Sequence, residues 1–577
     1  MPRLIRNIAL ICGLAALAGP AFAAATDKDA ASHAVVVPHS AGAYLAARAA
    51  AQQNDFALAA QWYGAALQAD PANSDLLQGA LVAHAALGDI DAAAKLALRL
   101  KKIGSVSQIG QMVLVADDAL RGDYAAVLKG QVNGPSIGTL LDGLVTGWAQ
   151  VGSGQMSQAM DTYDKMIITS GMEAFGVYHK ALALAQIGDF EGAEKLFMRP
   201  ESAAIHGLRR GVLAQVQVLS QLGRGADAIV LIDRLYGQAP DAGMAAIRQR
   251  LTLGEKIAFD VVRTPQDGMA EAYFSLATLL VGQTNDTLTL LNARIASALR
   301  PDHVEAVLMA ARLLDKLGQY DLSISAFAQV PEGDAAYVSA IIGQAASAQS
   351  AGELDDAVTL LKDLADKNAD NVGVLGAYGD SLRRQDQCGA ATAVYGQAIA
   401  LIKTLVPGDW VLFYKRGGCR QNQGDWPGAE ADYKQALTLA PGEPRILNEL
   451  GYSYVDRGEN LPQALAMIQQ AVAAKPEQGY IIDSLAWAYF RLGRYENAVA
   501  PMEKASLLMP VDPIVTDHLG DVYWMVGRKR EAQFQWHRAL SFHPAPAEAA
   551  RIQLKLDKGL DQVLQDEKKA QEGGNGG

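Results

Sequence analysis

The sequence predicts an all-α fold, a right-handed superhelical solenoid of about fourteen helix-turn-helix repeats closed by a C-terminal capping helix. Three observations predict it. Glycines recur 34 or 35 residues apart, at Gly424, Gly458, Gly493 and Gly527. Prolines follow at the same spacing, at Pro441, Pro476, Pro510 and Pro544. Small residues recur between them, at Ala429, Ala464, Ala498 and Ala532. A fixed period of this length is typical of stacked helical repeats.

The physical basis of this period is the packing of short helices. Each unit contains two helices of about a dozen residues, which are marginal alone in water and are stabilised by stacking. The small residues let helix backbones approach closely, and the proline ends each unit because it cannot continue a helix. In period and pattern the sequence resembles the tetratricopeptide repeat (TPR) family, whose unit is a helix-turn-helix of about 34 residues.

The N-terminus has the features of a secretory signal. Residues 1–23 carry Arg3 and Arg6, then an apolar run too short to span a membrane, then small residues suited to cleavage near Ala23. Cys12 lies early in that run, behind Leu10 and Ile11, and not at its end as a lipoprotein signal requires. We therefore expect export to the periplasm without a lipid anchor, with peripheral association to the outer membrane left open. Residues 24–39 are expected to form a flexible leader.

The remaining chain divides by how well the repeat is preserved. Residues 40–269 are expected to form a degenerate N-terminal array, 270–409 a middle array and 410–544 four well-formed repeats. Segments 244–268 and 399–409 do not match the pattern and are predicted to be irregular joints. Residues 545–568 are expected to form one capping helix, since the ends of a solenoid need a polar outer face. Residues 569–577 are predicted to be a disordered tail.

Composition excludes some classes of partner. The formal net charge is −12, and it becomes 48 − 62 = −14 once the signal with its two arginines is removed. Because nucleic-acid binding needs a clustered cationic surface, nucleic acid is not expected as the main partner. No segment after the signal is expected to cross a membrane.

The sequence offers no catalytic or metal-binding motif. The nine histidines include no pair at a metal-ligand spacing, and phosphate loops, zinc-protease helices and nucleophile elbows are not found. His537 and His543 are close in sequence, but a separation of six puts them on different helix faces. We therefore expect a non-catalytic protein without a metal or cofactor.

Two cysteines remain after the signal. Cys388 begins the second helix of one repeat and Cys419 lies late in the first helix of the next. Neighbouring antiparallel helices would bring them together, so a disulfide is predicted, worth roughly 3.5 kcal/mol from loop closure. The alternative is two separate buried thiols.

A candidate binding groove follows from the resemblance, because in a TPR stack the first helix of each repeat lines the concave wall. The side chains that point inward after the packing positions are assigned are rich in aromatic and arginine residues, as protein interfaces are. They are Tyr414, Arg445, Asn448, Tyr452, Tyr480, Asp483, Trp487, Arg491, Asp517, Asp521 and Trp524. The alternative is that some of them pack between neighbouring helices. Tyr414 and Asn448 stand where chaperone-tail-binding members have their first lysine and asparagine, so recognition of that type is not expected.

Two segments, "QDGMAEAYFSLATLL" and "LNELGYSYVDRGENLPQALAMIQQAVAAKPEQGYIIDSLAWAYFRLGRYENAVAPMEKASLLMPVDP", resemble long bacterial envelope TPR proteins of the protease-adaptor type. The resemblance implies an adaptor that binds a periplasmic carboxyl-terminal processing protease and presents cell-wall hydrolases to it. The leading hypothesis is therefore a periplasmic scaffold with a protein or peptide in its concave surface. The alternative is an envelope glycan-binding or polysaccharide-export accessory protein, in which aromatic faces would stack on sugar rings. An enzyme with a repeat lid is a third class, but no stretch outside the repeats is long enough for a catalytic domain.

Overall fold

A computed structural model describes residues 39–237 and 240–574, and this part of the chain contains 31 α-helices and no β-strand. The predicted all-α superhelical solenoid is confirmed. The predicted signal, residues 1–23, and all but the last residue of the predicted leader lie outside the described residues. In the described ranges, no helix is both long enough and apolar enough to cross a bilayer.

The first thirteen helices precede an irregular segment. They are α1 (His39–Gln52), α2 (Phe56–Ala69), α3 (Ser74–Leu87), α4 (Ile90–Lys102), α5 (Gln108–Leu120), α6 (Tyr124–Asn133), α7 (Thr139–Gly152), α8 (Met156–Ile167), α9 (Glu173–Gln186), α10 (Phe190–Phe197), α11 (Arg209–Gln221), α12 (Gly225–Tyr236) and α13 (Ala242–Thr252). A 3-10 helix, Pro200–Gly207, lies between α10 and α11.

Eighteen helices follow. They are α14 (Pro265–Leu280), α15 (Asp286–Leu299), α16 (Val304–Lys316), α17 (Tyr320–Phe327), α18 (Tyr337–Ala351), α19 (Leu354–Lys367), α20 (Val372–Arg384), α21 (Cys388–Leu401), α22 (Trp410–Asn422), α23 (Trp426–Leu439), α24 (Pro444–Arg457), α25 (Leu461–Ala474), α26 (Gly479–Arg491), α27 (Tyr495–Leu508), α28 (Pro513–Met525), α29 (Lys529–Ser541), α30 (Pro546–Lys558) and α31 (Leu560–Gly574). A second 3-10 helix, Pro407–Asp409, precedes α22.

These helices pair as consecutive antiparallel hairpins. Helices α1–α12 form six hairpins and α14–α29 form eight, which gives fourteen, while α13 stands alone between them. The described helices thus match the predicted repeat number. The predicted joint at 244–268 is shorter than expected, because α13 continues to Thr252 and α14 begins at Pro265.

A recurring Gly-Asp pair connects the two helices of many hairpins. Gly88 and Gly188 have φ angles of 85° and 88°, a left-handed conformation that favours glycine. The aspartate that follows caps the second helix: Asp89 accepts from the Ala92 backbone N–H and Asp189 from that of Gly192. The pair therefore ends one helix and starts the next, since it supplies both the reversal and the N-cap.

Glycines also set the distance between the two helices of a hairpin. In four hairpins a glycine of the first helix faces an aromatic ring of the second, where an added Cβ would lie 2.4 to 2.9 Å from a ring atom. These pairs are Gly147 with Tyr163, Gly379 with Tyr395, Gly417 with Tyr433, and Gly520 with Trp536. The rings are fully buried, so the small residue makes room for a large apolar contact.

The middle of the chain folds back on the N-terminal hairpins. Helix α14 contacts α5, α7 and α9, and α15 contacts α3 and α5, all of which are first helices of their hairpins. The Tyr273 hydroxyl donates to the Met112 carbonyl at 2.8 Å, and Arg294 Nε donates to the Ala86 carbonyl at 3.0 Å. The inner side of the N-terminal hairpins is therefore filled by the protein's own helices. The domain boundary predicted at residue 269 falls inside α14.

The chain reverses at segment 253–264. Side chains of the neighbouring helices form hydrogen bonds with the backbone groups of this segment. Gln217 accepts from the Asp260 N–H at 2.9 Å, and Gln221 donates to the Ile257 carbonyl at 2.6 Å. The Val261 carbonyl accepts from both Arg210 and Arg300. Ile257, Val261 and Val262 are the buried residues of the segment, and buried backbone groups need such partners.

The C-terminal cap consists of two helices where one was predicted. Gly559, with a φ angle of 81°, separates α30 from α31. An added Cβ at this glycine would lie 2.6 Å from the Trp524 ring, so the reversal also brings α31 close to α28. Helix α31 continues to Gly574 and thus into the segment 569–577 that was predicted as a tail.

Candidate protein-binding surface

The eleven predicted groove residues all lie on the first helices of the four C-terminal hairpins, α22, α24, α26 and α28. The structure divides them into side chains that remain open, side chains that pack between helices, and side chains that the C-terminal helices cover. All eleven residues therefore lie on the predicted helices, but only some of their side chains are accessible to a partner.

The open group centres on a cluster that we call the aromatic patch, formed by Trp410, Tyr414, Arg445, Glu449, Tyr452 and Tyr480. The Arg445 guanidinium lies over the Trp410 ring, 4.7 Å from its centroid, and the Trp410 and Tyr414 rings meet edge to face at 5.7 Å. Tyr480 is 43% exposed. The sequence analysis did not predict Trp410 or Glu449: Trp410 directly follows the predicted joint 399–409, and no motif marks Glu449.

Burial and neighbouring carboxylates raise the pKa of two tyrosines of this patch. Burial and the nearby Glu449 raise the pKa of Tyr414 to about 12, and burial and Asp483 raise the pKa of Tyr452 to about 12. Burial also raises the pKa of Glu449. At neutral pH Tyr414 and Tyr452 present hydroxyl groups that both donate and accept, near Arg445.

Asn448 and Arg491 flank the patch. Asn448 is 6% exposed, and its side-chain oxygen has no hydrogen-bond donor among the described residues. Arg491 is partly exposed and donates to the Asp456 carbonyl at 3.0 Å. Because that oxygen is itself buried, Asn448 packs between helices and is not open to a partner, which is the alternative given for the groove residues.

Asp483 and Trp487 belong to the packed group, so the alternative given for the groove residues holds for them. The Trp487 ring is stacked between Phe490 at 4.7 Å and His518 at 4.0 Å, and it is 8% exposed. Asp483 accepts from His518 at 3.0 Å. Burial opposes protonation of His518, but Asp483, together with Asp517 and Asp521, outweighs burial and raises the pKa of His518. These side chains fix α28 against α26 and are not open to a partner.

The last three residues, Asp517, Asp521 and Trp524, are covered by α30 and α31. Lys555 of α30 is fully buried and donates to Asp517 at 2.7 Å and to Asp521 at 2.8 Å. Burial and the neighbouring Asp521 raise the pKa of Asp517 to about 6. Trp524 donates to Asp561 of α31 at 2.9 Å. The C-terminal end of the predicted groove is thus closed by the chain itself.

A second concave site, missed by the sequence analysis, lies where the N-terminal and middle hairpins meet. It is a cavity of about 1050 Å³ between α11, α14, α16 and α18. Phe274, Leu308 and Met309 contribute to its apolar wall, and Arg312 contributes a charge that has no ion-pair partner among the described residues. The cavity forms only because the chain folds back, so no local pattern could have indicated it.

A buried ion-pair cluster forms one side of this cavity. Arg210 donates to Glu271 at 2.7 Å and to Glu305 at 3.1 Å, and Arg209 donates to Glu305 at 2.7 Å. Burial opposes ionisation of Glu271, but Arg210 and His303 outweigh it and hold the pKa of Glu271 well below its ordinary value. Burial lowers the pKa of His303. The cluster joins α11, α14 and α16 and has a structural role.

The two cysteines lie together, as the repeat register predicted. Both are buried free thiols, and their Sγ atoms are 2.9 Å apart. Burial and the hydrogen bond with Cys388 raise the pKa of Cys419 to about 12. Because the thiolate is the form that reacts, the pair is expected to oxidise slowly without a catalyst.

Oxidation of the purified chain is expected to convert Cys388 and Cys419 into one intramolecular disulfide. Loop closure would raise the free energy of unfolding of the surrounding hairpins by roughly 3.5 kcal/mol. Peptide mapping without reductant and thermal unfolding with and without reductant measure both effects. The variant Cys388→Ser is the control and should not respond to reductant. Two free thiols after oxidation would contradict the prediction.

Clusters of metal-ligand side chains and paired titratable groups are the features of the described residues that bear on catalysis. No group of three or more histidine, cysteine, aspartate or glutamate side chains there could hold a metal ion. Arg210 and Glu271, whose pKa values are both strongly shifted, are paired with each other across a helix interface. Such pairing is typical of structural ion pairs as well as active sites.

Fold and surface together define a helical-repeat scaffold of the kind that binds other proteins and is typically non-catalytic. The C-terminal hairpins match the tetratricopeptide repeat family model over residues 414–479 and 449–506. It is 30% identical over 115 residues to the TPR repeat-containing protein PA4667 of Pseudomonas aeruginosa, a match that covers 20% of this chain and 19% of that protein.

Solved structures with helical repeats show more distant likeness. The anaphase-promoting-complex hetero-tetramer Cut9-Hcn1 has a chain that is 14% identical, with a TM-score of 0.38 over 91% of this chain and 97% of its own. The TPR protein YrrB, described as having an unusual peptide-binding site, is 15% identical, with a TM-score of 0.27 over 33% of this chain and 97% of its own. MamA from Desulfovibrio magneticus RS-1 is 19% identical, with a TM-score of 0.27 over 30% of this chain and 94% of its own.

Proposed function

We propose that this chain is a periplasmic adaptor that binds a segment of a protein partner on the aromatic patch of its C-terminal hairpins. The observation that carries the proposal is the patch itself. It gathers Trp410, Tyr414, Tyr452, Tyr480 and Arg445 on the inner helices, with Tyr480 43% exposed. Tryptophan, tyrosine and arginine dominate the binding energy of protein interfaces.

The rest of the inner surface favours the same location. The N-terminal hairpins have their inner side filled by α14 and α15, and the last hairpin is covered by α30 and α31. A partner is therefore expected between these two ends, on α22, α24 and α26. The hydroxyl groups of Tyr414 and Tyr452 would pair with the backbone of an extended segment.

The finer role is to link a carboxyl-terminal processing protease to cell-wall hydrolases. Its support is the resemblance of 266–280 and 447–513 to envelope proteins of the protease-adaptor type. The periplasmic location is supported by Arg3, Arg6 and the apolar run that follows them. Identification of the protein that binds the aromatic patch tests both the protease-adaptor role and the periplasmic location.

Site-specific photo-crosslinking in cells tests the proposal. A photoreactive amino acid replaces Tyr480 in the aromatic patch, and in the matched control it replaces Phe534 on the second helix α29, which is 65% exposed. The patch position is expected to yield a discrete crosslinked protein, and the control is not. Adding Arg445→Ala and Tyr452→Ala to the patch variant should reduce the crosslink roughly tenfold or more, as expected where interface anchors are lost.

The crosslinked species identifies the class of partner. A protease or a cell-wall hydrolase in the crosslink supports the finer role, and another periplasmic protein supports only the scaffold. Equal crosslinking at Tyr480 and Phe534 would overturn the patch as the binding site. Retention of the purified chain on peptidoglycan, lost on Tyr480→Ala and without any protein crosslink, would instead establish the glycan-binding alternative.

A further inference from the structure

Three consecutive hairpins end in the same pair of exposed side chains. Helices α6, α8 and α10 each carry, near the C-terminal end, a lysine followed three residues later by an aliphatic side chain. The pairs are Lys129 with Val132, Lys165 with Ile168, and Lys195 with Met198. The aliphatic residues are 81%, 84% and 67% exposed. A spacing of three places both members of a pair on one side of the helix end.

These ends lie along one edge of the solenoid. In stacked antiparallel hairpins, every turn from a second helix to the next first helix falls on the same edge. Contacts support this arrangement: Met166 of α8 packs on Gly143 at the start of α7, and Ile167 packs on Gly176 at the start of α9. The preceding turn, after α4, extends the edge with Lys102 and with Val106, which is 81% exposed. We call this set the basic apolar edge.

The basic apolar edge carries positive charge, whereas the whole chain has a net negative charge. Among the described residues, none of its four lysines has an ion-pair partner, although the chain has a net charge of −12. The acids of the same turns are engaged: Glu173 accepts from the Gly171 N–H at 2.8 Å, and Glu201 pairs with Arg199 at 3.0 Å. Lysine at a helix C-terminus is favoured by the helix dipole, but that effect does not account for the exposed aliphatic residue beside it.

We propose that the basic apolar edge docks the protein on the surface of an anionic phospholipid bilayer. Free lysines on long stems would reach the phosphate groups, while the valine, isoleucine and methionine side chains would enter the boundary between headgroups and acyl chains. The combination of unpaired cations with exposed aliphatic tips is complementary to such a surface. The edge is separate from the aromatic patch, so bilayer docking would leave the patch open to its partner.

Co-sedimentation with vesicles tests this proposal. The chain from residue 24 onward, which contains every described residue, is mixed with phosphatidylcholine vesicles with or without phosphatidylglycerol. Binding is expected only with phosphatidylglycerol and should weaken as salt is raised. The double variant Ile168→Ser/Met198→Ser and the triple variant Lys129→Gln/Lys165→Gln/Lys195→Gln should each bind at least roughly tenfold more weakly.

The opposite edge supplies the matched control. Leu120 and Ile187, 41% and 58% exposed at the ends of first helices, are replaced by serine in a double variant that should bind like the unmodified chain. The proposal is overturned if the chain does not bind anionic vesicles. It is also overturned if the edge variants bind as well as the control, or if lipid type makes no difference. Loss of self-association in the edge variants, without vesicle binding by any form, would assign the edge to a second copy of the chain.

Discussion

Replacing Arg210 by methionine is expected to lower the free energy of unfolding of the N-terminal and middle hairpins by about 3 to 5 kcal/mol. Arg210 and Glu271 have side chains that are 8% and 2% exposed, and they meet at 2.7 Å. Without the guanidinium, Glu271 would stay buried with its charge uncompensated, and Glu305 would lose one of its two arginine partners. Hydrogen exchange of α9, α11 and α14 measures the loss locally.

The loss of stability in Arg210→Met is expected to depend on pH. In the unmodified protein the pKa of Glu271 lies below the ordinary value of 4.5, so its stabilisation is fully present above about pH 4.5 and is lost as pH falls through the folded-state pKa. In Arg210→Met, Glu271 loses its main cationic partner, so burial raises the pKa of Glu271. The deficit of the variant should therefore be largest at neutral pH and should narrow as the pH is lowered, because a protonated Glu271 needs no counter-ion.

Arg224 provides the matched control for Arg210. Its side chain is 45% exposed and pairs with Glu194 and Asp227. Arg224→Met should lower the free energy of unfolding far less than Arg210→Met, since exposed ion pairs contribute little. The double variant Arg210→Met/Glu271→Leu should recover most of the stability that Arg210→Met loses, because it removes the orphaned charge. Equal losses for Arg210→Met and Arg224→Met would refute a special role for the buried cluster.

Replacing Gly268 by alanine is expected to destabilise the contact between α14 and α7 by about 3 kcal/mol, the upper part of the range for overpacking. An added Cβ would lie 2.2 Å from the Trp148 ring. That ring cannot retreat easily, because it is fully buried and its Nε1 donates to His179 at 2.8 Å. Thermal unfolding and hydrogen exchange of α7 and α14 measure the effect.

The same substitution should have the opposite sign at Gly64. This glycine lies within α2, and an added Cβ would meet no atom within 4 Å. Gly64→Ala is therefore expected to be neutral or to stabilise by up to about 1 kcal/mol through helix propensity. Equal changes in stability for Gly268→Ala and Gly64→Ala would contradict a role of Gly268 in the close packing of α14 against the N-terminal hairpins.

The candidate site was only partly predictable from the sequence. Repeat register placed Tyr414, Arg445 and Tyr480 on the correct helices, and it brought Cys388 next to Cys419. Register alone could not distinguish an aromatic side chain in an open groove from one between helices, because both face the same way on the first helix. Trp487 shows the difference, since its environment depends on Phe490 and on His518, which lies 31 residues later.

The sequence by itself determined the repeat, because each hairpin depends on residues less than 35 positions apart. Period, turn glycines and capping aspartates are local, and they specified the all-α solenoid and its fourteen hairpins. Even the two joints could be recognised, because a break in the period is also a local signal. Neighbouring repeats then stack by contacts that the same period specifies.

Only the tertiary structure decided which parts of the inner surface are open. Contacts such as Tyr273 with Met112, Arg294 with Ala86 and Arg210 with Glu271 join residues 61 to 208 positions apart. They form because the irregular segment 253–264 reverses the chain and lets α14 and α15 bury against the N-terminal hairpins. The physical reason is that burial of such surfaces depends on three-dimensional complementarity between distant elements, which no local period encodes.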